Sequence, residues 1–140
     1  MGQLRSMLRA YIVDRHERPS ALLRRLDAAN HTLGEPTVAT AVVAVIDALA
    51  TGGYRLRWSN AGHPPPIVIH PDEAVQALEG NDLLLGARRF AGRHTWTAPL
   101  APGSTVLLHT HGLLGYPGSA ADNDSDNLHR RLRTARRARL

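Results

Sequence analysis

A strand-like segment that ends in three consecutive prolines constrains the fold of this chain more than any other feature. Apolar and polar residues alternate from Tyr54 to Ser59, as in a strand with one exposed face. Gly62 and the prolines at 64–66 follow. Proline has no backbone N–H to donate within a sheet, and glycine adopts backbone angles that other residues avoid. The strand therefore stops here, and the chain turns into a rigid, extended loop.

Two polar side chains in this corner, Asn60 and His63, can hydrogen-bond to the backbone groups that the prolines leave unpaired. The simplest interpretation is that both brace the corner. On this interpretation the pair supports the backbone and takes no direct part in chemistry.

The order of the remaining patterns predicts an α+β fold, with helices first and antiparallel strands after them. Amphipathic spacing predicts helices at 2–13 and from Pro19 to Gly34. The apolar run at 38–47 predicts a strand buried on both faces, with a buried helix as the alternative that periodicity leaves open. Turn residues at 51–53 join that run to the alternating strand as an antiparallel hairpin. Further short strands are expected at 67–69, 75–78, 94–97 and 105–108.

A last helix is expected at 128–139, with Leu128 and Leu132 as its only apolar residues. We expect a stripe this thin to add little to the core, so that removal of residues 129–140 leaves the fold intact.

With 140 residues, 43% of them hydrophobic, the chain is long enough for a single domain with a buried core. It contains no cysteine, which excludes disulfides, thiolate metal sites and a cysteine nucleophile, and fits a cytoplasmic protein. No apolar run approaches the roughly 20 residues of a membrane helix, so no membrane insertion is expected.

The basic residues are all arginines, and their distribution argues against a nucleic-acid-binding domain. Six of the 17 lie at 130–139. The remaining 11 are balanced by 12 acidic residues, so the domain is nearly neutral and carries a basic tail. Such a tail could contact nucleic acid or an acidic partner, although a solvated chain end is the commoner role.

Four short motifs follow one another along the chain: Asn-Ala-Gly-His-Pro-Pro at 60–65, Leu-Gly at 85–86, Leu-Ala-Pro-Gly-Ser at 100–104 and His-Thr-His-Gly at 109–112. In this order and spacing they resemble the bacterial SpoIIE/RsbU-like branch of the PPM (PP2C-type) protein serine/threonine phosphatases. Members of that branch read Asn-Ala-Gly-His-Pro-Pro, Leu-Gly, Leu-x-Pro-Gly-Asp and Tyr-Thr-Asp-Gly. The resemblance implies a partial PPM-type sandwich of antiparallel sheets over residues 1–118, with helices packed on the face. Residues 119–140 would be a polar loop and the Arg-rich tail.

The resemblance also implies a reaction, which is the hydrolysis of phosphoserine or phosphothreonine on regulatory proteins, often antagonists of anti-sigma factors. Aspartates of the family hold two Mn²⁺ or Mg²⁺ ions for this step. The family signature lies beside the active site without binding metal, and in this sequence it comprises Asn60, Gly62, His63, Pro64 and Gly112.

The sequence departs from the family at the metal ligands. His111 stands where the family has a ligand aspartate, and the first and last ligand segments of the family would fall before residue 1 and after residue 140. We therefore expect no intact catalytic residue and poor binding of Mn²⁺ or Mg²⁺. His111 could instead hold a softer metal such as Zn²⁺ together with His109 and His63; drift of a degenerate site is the alternative.

Three hypotheses follow for a degenerate or truncated member of this family. It is an enzyme whose missing acids come from elsewhere, a pseudophosphatase that binds a phosphorylated sigma-factor-regulatory partner without cleaving it, or the remnant of a broken gene. We also expect self-association, because a sheet that lacks edge strands exposes unpaired backbone groups.

Overall fold

The computed structural model describes residues 2–14, 16–110, 128, 130–132 and 134. Within this part of the chain, two helices precede six strands. The helices are α1 (Gly2–Asp14) and α2 (Pro19–Thr32). The strands are β1 (Ala41–Ala48), β2 (Tyr54–Ala61), β3 (Ile67–Ile69), β4 (Val75–Ala77), β5 (Trp96–Leu100) and β6 (Thr105–Leu107).

The strands form two three-stranded sheets. The first has the order β1-β2-β5 and the second the order β4-β3-β6, and every pairing is antiparallel. The predicted hairpin is the β1–β2 pair, in which Val43 lies opposite Ser59. In the second sheet, Val68 lies opposite Val106.

Alternate side chains of β2 point to opposite faces of the first sheet and contribute to two different hydrophobic cores. Leu56 and Trp58 point toward the second sheet and pack with Val68. Ala61, on the opposite face of the same strand, packs with the leucines of α2. Within residues 2–107 the structure has three layers, with α1 and α2 on the first sheet and the first sheet on the second. This is the α+β class of antiparallel sheets with packed helices that the sequence predicts.

The β1 strand is not buried on both faces, and that prediction is wrong. Val43 is its one fully buried residue, and the side chain of Ile46 is 55% exposed. Val38, which the prediction included in the strand, precedes it and is exposed. β1 lies at the edge of its sheet, where Val43 packs under the helices and Ala44 packs against the second core, but Ile46 near its far end is left uncovered.

The expectation that the two C-terminal leucines add little to the core is wrong for Leu128, whereas the effect of removing residues 129–140 stays a prediction. Residues 128, 130–132 and 134 are helical. Leu128 is buried against Ile67 and Ile69, the β3 side chains that point away from the first sheet, and Leu132 packs beside it. These two leucines thus cover the outer face of the second sheet. No helix in the described residues is long and apolar enough to cross a membrane.

Candidate functional site

A ring of hydrogen bonds closes the corner at the end of β2. The side-chain amide of Asn60 donates to the carbonyl of His63 at 2.7 Å, and its oxygen accepts from the backbone N–H of His63 at 2.8 Å. The Asn60 side chain is 1% exposed, so both bonds are shielded from water. The imidazole Nδ1 of His63 lies 3.2 Å from the carbonyl oxygen of Pro64. Asn60 therefore sets the backbone direction from which the His63 side chain projects.

Gly62 is required in this corner for two reasons. Its φ of 67° lies in the left-handed region, which side chains disfavour. A Cβ atom there would also lie 2.2 Å from a methyl carbon of Leu84. The Gly62 N–H donates to the side-chain oxygen of Asn81 at 2.8 Å and to the carbonyl of Asp82 at 3.0 Å. The segment after residue 80 is thereby held directly against the corner.

Asp82 fixes the same segment from its other side. Its backbone N–H donates to the carbonyl of Asn60 at 2.8 Å. Its carboxylate accepts from the backbone N–H of His94 and contacts the imidazole Nδ1 of that residue, both at 2.7 Å. The corner, the 81–86 segment and the start of β5 are therefore one connected unit.

A buried ion pair anchors the Leu-Gly motif at 85–86. The Asp27 carboxylate of α2 accepts from the Gly86 N–H and from the Arg93 guanidinium, each at 2.8 Å, through different oxygens. The guanidinium also donates to the carbonyls of Leu83 and Leu84. Both charged side chains are almost fully buried, at 3% and 0% exposure. This ion pair has no local sequence signal, so it could not be predicted from the sequence.

A cleft opens beside this corner, and His63 and Val42 line both of its parts. One part, about 300 Å³, lies between the helices and the start of β1, and its lining includes Arg5, Leu8 and Leu85. The other part, about 500 Å³, is lined by Leu108, His109 and Thr110. The cleft therefore joins helix α1, the Asn60–His63 corner and the segment after β6.

The predicted site residues meet this cleft to different extents. The side chain of His63 lines it, while Asn60, Gly62 and buried Pro64 shape the backbone behind it. His111 and Gly112 lie outside the described residues. Thr110, which immediately precedes His111, lines the cleft. Arg5 also lines it, and the sequence analysis did not identify that residue as part of a site.

The described lining does not fit Mn²⁺ or Mg²⁺. Hard divalent ions prefer carboxylate oxygens, whereas the polar side chains of the described lining carry imidazole, hydroxyl and guanidinium groups. In the described part of the chain, no three His, Asp or Glu side chains converge on a site for a metal ion. His63 and His109 line the same part of the cleft, but His111 lies outside the described residues, so the three-imidazole site stays a prediction.

The carboxylate with the clearest electrostatic perturbation lies at the other end of the β1–β2 hairpin. Hydrogen bonds from Arg57 and, more weakly, Arg55 hold the pKa of Asp47 below its usual value, against the opposing effect of desolvation. The same contact with Asp47 raises the pKa of Arg57. Because Asp47 pairs in register with Arg55 and not with the Ala61 end of β2, this cluster stabilises the hairpin without reaching the cleft.

Two antiparallel sheets with helices on one of them, and a cleft at the end of β2, define the fold of an RsbU-type phosphatase domain. The structure superposes on the RsbU domain in the crystal structure of the RsbU and RsbW domains of Rv1364c from Mycobacterium tuberculosis with a TM-score of 0.80 and 26% sequence identity. The match covers 96% of this chain and 36% of that one, so this chain spans about a third of its solved relative.

The family model of stage II sporulation protein E matches residues 1–140, and the chain therefore belongs to the SpoIIE family of PPM-type phosphatases. No curated protein sequence matches it significantly. The family resemblance seen in the four sequence motifs is confirmed, together with the α+β fold class.

Proposed function

We propose that the cleft beside His63 binds a phosphorylated serine or threonine on a regulatory protein, of the kind that antagonises anti-sigma factors, and that this chain holds the phosphoprotein without hydrolysing it. Membership of the SpoIIE family supports the phosphoprotein as ligand. The solved relative combines an RsbU domain with an RsbW domain, which supports a regulatory partner.

The observation that carries this proposal is the lining of the cleft. Arg5 and His63 line one part, and His63, His109 and Thr110 line the other. A guanidinium forms charge-assisted hydrogen bonds with phosphate, and an imidazole N–H or a hydroxyl group can donate further ones. The cleft is therefore equipped to bind a phosphate dianion without a metal ion.

The proposal excludes hydrolysis because of the ligand chemistry. A two-metal phosphatase site uses carboxylates to hold ions that activate water and neutralise the charge that develops on phosphate. At the position of a family ligand aspartate this chain has His111, whose imidazole is a poor ligand for Mg²⁺.

Hydrolysis is the second candidate, and family membership is the observation that favours it. It requires that aspartates from another segment or another protomer complete the site. The two candidates differ in one measurable property, which is phosphate release in the presence of Mn²⁺.

The test measures phosphopeptide binding and Mn²⁺-dependent phosphate release with the 140-residue chain. We expect binding without release, and we expect His111→Asp alone to restore no turnover, because a single carboxylate does not make a two-metal site. Arg5→Ala should weaken phosphopeptide binding about tenfold, the value of one charge-assisted hydrogen bond. The matched control is Arg9→Ala, which removes an exposed arginine of the same helix outside the cleft lining.

Each outcome decides between the candidates. Turnover by the unmodified chain that a chelator abolishes would establish hydrolysis and overturn the proposal. Absence of both binding and turnover would also overturn it and would favour the interpretation as a gene remnant. Turnover restored by His111→Asp only in a longer chain with the other family ligand segments would support the proposed role of His111.

A further inference from the structure

The loop at 87–92 presents an unusual combination of side chains to solvent. Phe90, the only phenylalanine of the chain, is 87% exposed. Arg88 and Arg89 beside it are also exposed, and the guanidinium carbon of Arg89 lies 5.7 Å from the centre of the Phe90 ring. Aromatic and arginine side chains are the residues that most often dominate the energy of protein interfaces.

Both ends of this loop are tied to one carboxylate. Asp27 accepts from the backbone N–H of Gly86, just before the loop, and from the guanidinium of Arg93, just after it. The anchoring atoms are buried, so the base of the loop is fixed while its tip is in water. A loop with a fixed base loses less conformational entropy on binding than one that must be ordered first.

The two arginines are available for a partner. No carboxylate of the described residues forms an ion pair with Arg88 or Arg89. Their charges therefore face solvent beside a large apolar ring. A partner complementary to this loop would combine apolar side chains with flanking acidic ones.

We propose that the 87–92 loop is a docking element for an acidic, leucine-bearing segment of a protein partner, which covers Phe90 with apolar side chains and pairs Arg88 and Arg89 with carboxylates. The loop begins two residues after cleft-lining Leu85, so its first residue lies within about 7 Å of that residue. The proposal stands independently of phosphate binding, because none of the three side chains belongs to the described lining of the cleft.

An anionic membrane is the competing ligand for an arginine–phenylalanine cluster, and the charge count disfavours it. Recognition of anionic lipids commonly uses clusters of about 4–8 basic residues. This loop offers two arginines and one aromatic ring. A protein partner agrees better with this loop than an anionic membrane does, because burial of a single aromatic ring contributes strongly to protein binding.

The experiment uses a defined probe, a fluorescent peptide of about a dozen residues in which leucines are flanked by aspartates and glutamates. Its binding to the 140-residue chain is measured up to about 1 mM by fluorescence anisotropy, and chemical-shift changes in an NMR titration locate the binding surface. The test variant is Arg88→Ala/Arg89→Ala/Phe90→Ala. The matched control removes two arginines and one exposed apolar residue elsewhere, as Arg9→Ala/Arg24→Ala/Val13→Ala.

We expect the test variant to bind the peptide at least about tenfold more weakly than the unmodified chain, because burial of one phenylalanine alone is worth about that factor. The control variant should stay within about twofold, and a peptide with the acids replaced by their amides should bind more weakly. All three substituted side chains are exposed, so the melting temperature of the test variant should not change.

The proposal is overturned if the peptide does not bind, if the test and control variants bind equally, or if the chemical-shift changes lie away from 87–92. Tighter binding to phosphatidylcholine vesicles that contain phosphatidylserine than to the peptide, lost in the test variant, would assign the loop to a membrane surface instead. These results do not depend on phosphopeptide binding, which Arg5→Ala tests separately.

Discussion

At the scale of single residues, Gly62 shows how one backbone position sets the geometry of the candidate site. Its positive φ and its contact with Leu84 bring the corner and the 81–86 segment together. The His63 side chain projects from the next residue into the cleft. Because Gly62 has no side chain, the space beside its backbone is filled by Leu84 of the 81–86 segment.

Gly62→Ala should therefore destabilise the fold by roughly 2–4 kcal/mol, the sum of left-handed strain and a clash with Leu84. Chemical denaturation measures the loss. Gly52→Ala is the control, because Gly52 also has a positive φ but open space around its Cβ position. An equal loss for both variants would show that the Leu84 contact is unimportant.

Asp47 gives a pH-dependent prediction. Its pKa is lower in the folded chain than in the unfolded one, mainly through the hydrogen bond from Arg57. The stabilisation is therefore complete at pH values above the ordinary aspartate pKa of 3.8 and is lost as the pH falls through the lowered folded value. Asp47→Asn should lower the melting temperature at pH 7, and the difference from the unmodified chain should shrink below pH 4.

Thermal unfolding from pH 7 down to the acid range measures this difference. Arg57→Gln removes the main hydrogen-bond partner of Asp47 and with it the main cause of the lowered pKa. The melting temperature of this variant should therefore fall less than that of the unmodified chain as the pH is lowered. A difference between Asp47→Asn and the unmodified chain that persists unchanged at acid pH would contradict the assignment.

At the scale of elements, the Asp27–Arg93 pair fixes the connection between the corner and β5. Asp27→Asn keeps an oxygen that can accept from the Gly86 N–H but leaves the buried Arg93 guanidinium without a counter-charge. The substitution should lower the free energy of unfolding by about 3–5 kcal/mol. The double variant Asp27→Leu/Arg93→Met removes both charges. Denaturation should show the double variant to be more stable than Asp27→Asn, and the reverse order would argue against a buried charge as the cause.

The second sheet depends on the C-terminal leucines for its outer cover. Leu128→Ala should cost roughly 2 kcal/mol, at the low end for a buried leucine because the cluster around it is small. Leu83→Ala, which truncates a half-exposed leucine, is the control and should cost less than about 1 kcal/mol. An unchanged melting temperature after removal of residues 129–140, which leaves Leu128 in place, would agree with the original expectation for this segment.

Most elements could be predicted from local patterns, since helix periodicity and strand alternation are properties of neighbouring residues. The errors in the predicted elements arise where contacts between residues far apart in the sequence determine the structure. β5 begins at Trp96 and not at His94, because His94 bonds to Asp82 and Thr95 bonds to Ser20. In the same way, nothing near Asp27 in the sequence indicates its partner Arg93, which lies 66 residues further along.

The candidate site was predictable only in part. The corner of Asn60, Gly62 and His63 was identified because glycine and proline have strong local signals. The cleft itself, which Arg5 lines, results from packing of α1 against α2 beside the start of β1, and no local sequence pattern indicates it.

At the scale of the whole molecule, the edge position of β1 leads us to expect that copies of this chain associate. Within the described residues β1 pairs only with β2, and Ile46 is 55% exposed. An unprotected edge of eight residues invites pairing with a strand of another molecule. We expect light scattering at tens of micromolar to detect dimers or larger species, and we expect Ile46→Lys to shift them toward monomer.

Val13→Lys introduces the same charge at an exposed position of α1 and should leave the association unchanged. A clean monomer of the unmodified chain, or equal effects of the two substitutions, would contradict a role for the β1 edge.

The order in which the chain visits its two sheets has a consequence for folding. β1 and β2 lie in the first sheet, β3 and β4 in the second, and then β5 returns to the first and β6 to the second. Each sheet thus starts as a hairpin and receives its third strand from the chain beyond residue 95, which closes a long loop at an entropic cost. During synthesis, α1 and α2 precede the first hairpin and can cover one of its faces, but both hairpins lack their third strands until the chain beyond residue 95 has emerged. That interval is when capture by a chaperone competes with aggregation.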